Sequence, residues 1–491
     1  MMGIQFDNSY ARLPEGFWSK GKVWGAPDPG WIEVNEGLCG ELGLDLDWVR
    51  SEEGFAMFSG NRFPESAEPL AMAYAGHQFS GFSPQLGDGR ALLIGEVLDP
   101  GGKRWDLRLK GSGRTRLSRG GDGKATVEAI VREYLVSEGM HGLGIPTTRA
   151  LAAVTTGERI WREQGQLPGA ILCRVARSHV RVGTFQYFAV RGETESVRTL
   201  ADYVIDRHYP EARDADGSPY VAMLHNIVER QAQLVARWMQ VGFIHGVMNT
   251  DNMQVLGETL DYGPCAFMDE FDPAQVFSMI DVRGRYAWDQ QANMAHWGLI
   301  RLIEALASVL SENHEELQAI ATVASAHFSK HFEEAFLTGF RQKLGLLEPR
   351  EDDATFLQTA FSAMAQNKVD FTLFFRHLTR IAAGHAPTEF ESLFPAPEPA
   401  QTWLETWRTR TESESTSPEQ RASAMTQTNP IFIPRNHRVE EAIQAALTGD
   451  YQPFHELARI LATPYQEQPD SAAYENAPTE SERVCQTHCN T

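Results

Sequence analysis

The clearest periodicity lies near the middle of the chain. Leu224, Ile227, Val228, Gln231, Leu234, Val235, Trp238 and Met239 recur at helical spacing, which predicts one long amphipathic helix over 219–241. Gly242 ends it. A polar loop follows, His245-Gly-Val-Met-Asn-Thr-Asp251-Asn252, then the apolar piece Met253 to Leu256, a turn, and Leu260-Asp261-Tyr-Gly263. Upstream, Ala91 to Val97 reads as a strand, Asp99-Pro-Gly-Gly102 as a turn, and Arg104 to Lys110 as a second strand. Thr126 to Glu138 predicts a helix with Val127, Ile130, Val131, Tyr134 and Leu135 on its apolar face and Glu133 on the flank.

The remaining pattern is coarser. Residues 1–70 read as an irregular extension, rich in Pro and Gly at first, with only Trp31 to Leu44 helix-like. Residues 145–191 alternate strand-like runs and turns, and Phe185 to Val190 is expected as a strand leading into a hinge. A short helix and polar turn are expected over 196–215, a buried helix over 286–310, and helical patterns to about 383. Residues 411–428, rich in Ser, Thr and Glu, are expected to be a linker or mobile loop. A short helix over 438–447 and a loosely ordered polar tail after 463 complete the chain. The expected division is therefore 1–70, 71–192, 193–410 and 411–491.

Composition narrows the classes. A chain of 491 residues, 42% hydrophobic, can fill two or three cores. No apolar run approaches the ~18 residues of a membrane span. The N-terminus has no basic or apolar signal region, and five scattered cysteines suit a reducing cytoplasm rather than a disulfide scaffold. The expected protein is cytoplasmic and monomeric, without membrane partners. A net charge of −21 argues against broad nucleic-acid binding. Within that acidic chain, Lys103, Arg104, Arg108, Lys110, Arg114, Arg116 and Arg119 form a cationic cluster. It suits a small, highly charged anion such as a nucleotide, or else protects a strand edge. His296 and the other C-terminal histidines read as lacking ligand spacing, hence as structural.

The candidate chemistry sits in the loops. Asp251, Asn252 and Asp261 place three metal-competent groups within eleven positions. Helix, His-containing loop, Asn, hairpin, Asp-aromatic-Gly is the order of parts in a protein-kinase C-lobe, where the Asn and Asp hold metal ions on nucleotide phosphates. In H-R-D-x-x-x-x-N register, Val247 stands where a kinase has its catalytic base, and Asp251 is the only carboxylate of the loop. Gly87, Gly89 and Arg90 lie in a turn feeding the Ala91 strand, where backbone N–H groups can approach phosphates. Residues 111–124, with Asp122 and Gly123, alternate glycine, hydroxyl and cationic residues and suit wrapping an anion. Lys110 and Glu133, 23 residues apart, have the order of the kinase lysine–glutamate pair, although a solvated helix glutamate is the alternative. Arg174 and Arg181 suit bidentate phosphate contacts or are surface arginines on strand edges.

Together these pieces resemble the selenoprotein O family, kinase-fold proteins long treated as pseudokinases. The similarity rests on Leu86-Gly-Asp-Gly-Arg90, Lys110-Gly-Ser-Gly, His245 to Met253 and Asp261-Tyr-Gly-Pro264, and extends loosely to Asn429–His437. It implies an α+β, two-lobed, protein-kinase-like fold with an N-terminal extension and helical C-terminal additions. It also implies transfer of AMP from ATP to Ser, Thr or Tyr hydroxyls of protein substrates, with the nucleotide inverted relative to a kinase. By the resemblance Lys110, Arg174 and Arg181, with Gly87, Gly89, Arg90, Asp122 and Gly123, would contact phosphates. Glu133 would orient Lys110, Asp251 would accept the proton, and Asn252 and Asp261 would hold Mg²⁺ or Mn²⁺. UMP transfer from UTP, ordinary γ-phosphate transfer and a non-catalytic nucleotide-binding scaffold are the alternatives. Some family members carry a selenocysteine near the C-terminus, where this chain has Cys485 and Cys489. A disulfide from a tail cysteine to Cys265 is one reading of them, and an incidental tail is the other.

Overall fold

The hairpin at 91–110 forms as its alternation predicts and becomes the centre of an antiparallel sheet. The computed structural model describes residues 3–79, 81–163 and 165–488. Its strands are β1 (Trp18–Lys20), β2 (Gly30–Val34), β3 (Leu70–Met72), β4 (Gly76–Gln78), β5 (Gly81–Ser83), β6 (Ala91–Leu98), β7 (Arg104–Lys110), β8 (Ala125–Thr126), β9 (Arg149–Arg162), β10 (Gly165–Ala176), β11 (Phe243–Ile244) and β12 (Ala266–Phe267). The main sheet runs β1-β3-β6-β7-β10-β9-β2, with β8 paired to β10. β4–β5 and β11–β12 are separate two-stranded pairs. Asp99 closes the β6–β7 turn: its Oδ1 accepts from the Lys103 N–H at 2.9 Å, and Gly102, at φ 79°, supplies the left-handed residue.

Both faces of this sheet are covered, because strand alternation gives each face its own apolar set. On one face lies the helix Val127–Gly142, capped by Thr126, whose Oγ1 accepts from the Ala129 N–H at 3.3 Å. Its Val127, Ile130, Val131, Tyr134 and Leu135 pack with Ala170 and Leu172 of β10. The helices Asn436–Leu447 and Gln452–Leu461 join the same cluster through Val439, Ile443, Phe454 and Leu457. On the other face Ile4, Leu38, Trp48, Met57 and Phe58 pack on Leu107, Leu109, Ile171, Cys173 and Val175. The sheet is followed by a helical body that includes Pro219–Gln240, Gln291–Leu310, His314–Lys343, Asp353–Asn367 and Phe371–Ala382. Phe271, Trp288, Phe340, Phe361, Phe371 and Phe375 pack together at its centre, mostly edge to face. The architecture is α+β. Among the described residues no helix is long and apolar enough to cross a membrane.

Several expectations change. Residues 1–70 are not irregular: β1 and β2 extend the sheet, and three short helices between them and β3 cover it. Trp31 to Leu44 divides into the end of β2 and the helix Glu36–Glu41, because Asn35 caps that helix and accepts from the Leu38 N–H at 3.0 Å. Phe185 to Val190 lies in the helix Val182–Ala189, whose Phe185 and Phe188, three apart, both face the core. Residues 411–428 are the end of one helix and the whole of another, Pro418–Thr428, started by a Ser417–Gln420 capping box. Buried Arg410, Arg421, Asp353 and Glu414 tie this segment down. The segment after 463 is also engaged: Arg376 pairs with Glu467 and Glu475, and Thr487 bonds back to the helical body.

Lys343 is buried beside the aromatic centre, its Nζ 4.4 Å from the Phe375 ring centroid. Burial pushes its ammonium pKa down to about 7. The unfolded chain therefore binds the extra proton between pH about 7 and about 10, and stability rises with pH across that window. Lys343→Met is expected to raise the unfolding midpoint at pH 7 and flatten that rise, by a few kcal/mol at most. Urea unfolding of both proteins across the window measures it.

Candidate active site

Sheet register builds the first part of the site. Arg108 and Lys110 are two apart on β7 and face the same side as the Val127–Gly142 helix, while Arg174 of β10 lies directly opposite Arg108. Lys110 Nζ donates to Glu133 Oε2 at 2.5 Å and to Asp261 Oδ1 at 2.9 Å. Arg174 donates through Nε to Glu133 Oε1 at 2.7 Å and through Nη2 to Asp261 Oδ1 at 2.8 Å. Two cations and two carboxylates thus close one quartet, with Lys110, Arg174 and Glu133 buried and Asp261 half-buried. Burial alone would raise the Asp261 carboxyl, but Lys110 and Arg174 hold it well below the usual carboxylate range. Glu133 is buried and paired rather than solvated.

The glycine-rich segments fold on one another beside the quartet. Thr115 Oγ1 donates to the Asp88 carbonyl at 2.5 Å, and Ser118 Oγ donates to the Gly89 carbonyl. Gly87 is at φ 76°, and a Cβ there would stand 2.4 Å from Leu117 Cδ1. Gly113 N–H donates to the Gly123 carbonyl at 3.0 Å, closing the loop at its base. Gly123 is at φ 72°, where a Cβ would strike the Gly113 carbonyl oxygen at 2.2 Å, so only glycine lets the two backbones touch. Asp122 is turned toward Arg162, which donates to its Oδ2 at 2.8 Å.

The loop after the long helix supplies the third part. His245 is buried, and Gln291 Oε1 accepts its N–H at 3.0 Å. Asn252 Nδ2 donates to the Val247 carbonyl at 3.0 Å, and the residue borders the cleft. Asp251 is buried, its Oδ1 has no hydrogen-bond partner, and a Cβ at Gly76 would lie 2.7 Å from that oxygen. Burial pushes its carboxyl up to about 6, against the pull of Arg181. Arg181 donates from Nη1 to the Asp251 carbonyl at 3.0 Å and stacks over Tyr74, 4.2 Å from the ring centroid.

All these parts line one cleft of about 1190 Å³. Gly87, Gly89, Arg90, Lys110, Asp122, Gly123, Arg174, Arg181, Asp251, Asn252 and Asp261 border it, and Glu133 lies behind Lys110. By sequence Arg108 is only one member of the cationic cluster, and Asp88 only part of the Leu86-Gly-Asp-Gly-Arg90 turn. They form a buried ion pair at the cleft wall, and the Nε and Nη1 of Arg108 have no partner. The two-residue step from Lys110 was the available signal for Arg108. Tyr74 and Gln78, which also line the cleft, carry no motif. The C-terminal segment reaches the rim, where Thr487 Oγ1 donates to the Pro264 carbonyl at 2.7 Å. Cys265 is a buried free thiol pushed up to about 12 by burial, and Cys485 is an exposed free thiol. Cys489 lies outside the described residues.

A hard divalent cation takes oxygen donors. Asp251, Asn252 and Asp261 offer only oxygens, one of them a buried carboxylate oxygen without a donor, so the set fits Mg²⁺ or Mn²⁺. Cationic walls, an oxygen-donor set and glycine turns in one cleft define the class of a nucleotide-handling transferase. The family model "Protein adenylyltransferase SelO" matches residues 1–462, and the chain belongs to that family. It is 52% identical over 488 residues to "Protein nucleotidyltransferase YdiU" of Rhizobium leguminosarum bv. trifolii, covering 99% of this chain and 97% of that one. The like-named protein of Rhizobium meliloti is 52% identical over 493 residues, covering 100% of both chains. That of Rhodopseudomonas palustris is 52% identical over 490 residues, covering 99% of both. The chain is a nucleotidyltransferase.

Glu133→Gln would keep the shape of the quartet and remove one of its two negative charges. Nucleotide incorporation into protein is expected to fall at least about tenfold, equivalent to about 1.4 kcal/mol of lost transition-state stabilisation. Labelled-nucleotide transfer, with circular dichroism as the control for folding, measures this.

Proposed function

We propose that the protein transfers AMP from ATP to Ser, Thr or Tyr hydroxyls of other proteins. In this reading residues 71–192 and 193–410 are the two lobes of a kinase-like fold, and ATP sits inverted, with its terminal phosphate inward and its α-phosphate facing the acceptor. One observation carries it: the loop's sole carboxylate, Asp251, is buried with its Oδ1 free of any hydrogen-bond partner, while Val247 stands at the kinase base position by a cleft wall lined by Arg108, Lys110, Arg174 and Arg181. An ordinary kinase does not require that many cationic groups. A triphosphate lying tail-inward places its charge among them.

The geometry supports the following roles. Lys110 and Arg174 neutralise the polyphosphate, and Glu133 keeps both oriented when Asp261 turns to another partner. Arg181, anchored on the Asp251 backbone, adds a cation beside the proton acceptor. The N–H groups of Gly87 and Gly123 approach the phosphates, with Gly89, Arg90 and Asp122 at the loop edges. Asp251 takes the proton of the incoming hydroxyl. The hydroxyl oxygen bonds to the α-phosphorus, the bond from that phosphorus to the bridging oxygen breaks, and pyrophosphate leaves. Asn252 and Asp261 would hold Mg²⁺ or Mn²⁺, which would supply charge neutralisation on the phosphates and leaving group.

Two measurements test this reading. Incubation with ATP labelled at either the α- or the γ-phosphate, and with UTP labelled at the α-phosphate, is expected to leave only the α-label of ATP on protein. A γ-label on protein makes the enzyme a kinase, a dominant UTP label makes it a uridylyltransferase, and no label from any of them ends the reading. Asp251→Asn is expected to lower transfer by about 10²–10⁴-fold with nucleotide affinity retained. Asp261→Ala is expected to abolish both metal-dependent nucleotide binding and transfer, read by calorimetry and label incorporation.

A further inference from the structure

Away from the cleft, the helices Pro219–Gln240 and His314–Lys343 pack along one another and gather metal-competent side chains. His225 and Glu229 are four apart on the first helix, and His327 and His331 are four apart on the second. Each pair therefore shares one helix face. The sequence reading of these histidines as lacking ligand spacing overlooked that step. Glu229, His327 and His331 bring one ligand atom each to within 4.8 Å of one another. His331 Nδ1 is 3.8 Å from Glu229 Oε1, and the His327 and His331 rings are 4.3 Å apart at their centroids. His225 stacks on His327 at 5.2 Å with an interplanar angle of 11°.

Hydrogen bonding does not account for the cluster. The Nε2 atoms of His225 and His327 are buried and have no partner, a cost that calls for a ligand. Gln233 Nε2 donates to Glu229 Oε1 at 3.0 Å and orients the carboxylate, as outer partners of metal ligands do. Burial, with the neighbouring rings at His327, holds His225 and His327 toward the neutral form that offers a lone pair. Lys330 is the nearby cation acting on His327, and Glu229 is the opposing anion. All four side chains are half-buried.

We propose that Glu229, His327 and His331, with His225 as fourth donor, bind a borderline transition-metal cation, foremost Zn²⁺, that clips the two helices together. Three imidazoles and one carboxylate are a donor set Zn²⁺ takes in tetrahedral sites, at about 2.0–2.2 Å from each atom. The ligand atoms of Glu229, His327 and His331, within 4.8 Å of one another, close further to reach that geometry, and His225, stacked on His327, turns in toward them. The first of these helices runs through Gly242 into the His245 loop, so an ion here stiffens the element that carries the candidate proton acceptor. The inference is independent of which nucleotide is transferred.

The full-length protein is titrated with Zn²⁺ in excess Mg²⁺, which occupies oxygen-donor sites and competes poorly for imidazole. Co²⁺ titration follows the visible absorption that nitrogen-ligated tetrahedral sites produce. The expected result is one Mg²⁺-resistant equivalent and a raised unfolding midpoint. His327→Gln and His331→Gln are each expected to weaken Zn²⁺ binding at least as much as the ~10–100-fold that losing an outer partner costs. Glu229→Gln serves as a further near-isosteric variant if a histidine variant fails to fold. Absence of a Mg²⁺-resistant equivalent in the unaltered protein, or equal affinity in the folded variants, overturns the proposal.

Discussion

Two cations and two carboxylates, largely removed from water together, hold the site in register. Lys110 comes from β7, Arg174 from β10, Glu133 from the Val127–Gly142 helix, and Asp261 from the loop after the long helix. Any one of these charges alone would face a desolvation penalty of several kcal/mol. Only the set of four is tolerable, so strand register, helix docking and loop position are fixed against one another. The loop end is itself strained: Asp261 is a non-glycine residue at φ 73°. Its two cationic partners keep it there. An arrangement of this kind serves specificity of position rather than net stability, since an apolar replacement of equal volume would cost less to bury.

The same balance makes the site responsive to ligand charge. Asp261 is the partly exposed member, and it accepts from both cations through one oxygen, Oδ1. On the proposed reading, metal-bound nucleotide exchanges partners within the quartet. Asp261 would be released to hold the ion, and Lys110 and Arg174 would be free to take phosphate while Glu133 still holds them. Around this, an acidic chain of net charge −21 keeps its cleft cationic through Arg90, Arg108, Lys110, Arg114, Arg119, Arg174 and Arg181. Such contrast draws a small polyanion inward and gives a nucleic-acid backbone no broad surface to follow.

Segments at the two chain ends are structural parts of this machinery. The first residues form the apolar layer under β7 and β10, the strands that carry Lys110 and Arg174. The segment around 435 braces the loop from the other side. Asn436 exchanges hydrogen bonds with both backbone groups of Phe267 in β12, at 2.9 Å and 2.6 Å, and buried Arg435 pairs with Asp269 and Asp370. Thr487 adds a last contact at Pro264. The Asp261 loop is thus held by residues more than 160 positions away in sequence.

Periodicity and local motifs by themselves determined the β6–β7 hairpin, the Val127–Gly142 and Pro219–Gln240 helices, and the order of the candidate residues from Gly87 to Asp261. Those features rest on alternation, capping and glycine turns, which act over a few residues. Tertiary structure alone decided that Glu133 is buried with Lys110 rather than solvated, that Arg174 and Arg181 face the cleft, and that Arg108 lies at its wall. It also made Phe185 helical and turned both chain ends into packed layers. Each of these outcomes depends on what an element packs against, and burial and ion pairing between distant segments are decided only when the sheet and helices meet. The His327 and His331 pair had a visible spacing, but its partners Glu229 and His225 lie about a hundred residues earlier on another helix, and only packing brings them together.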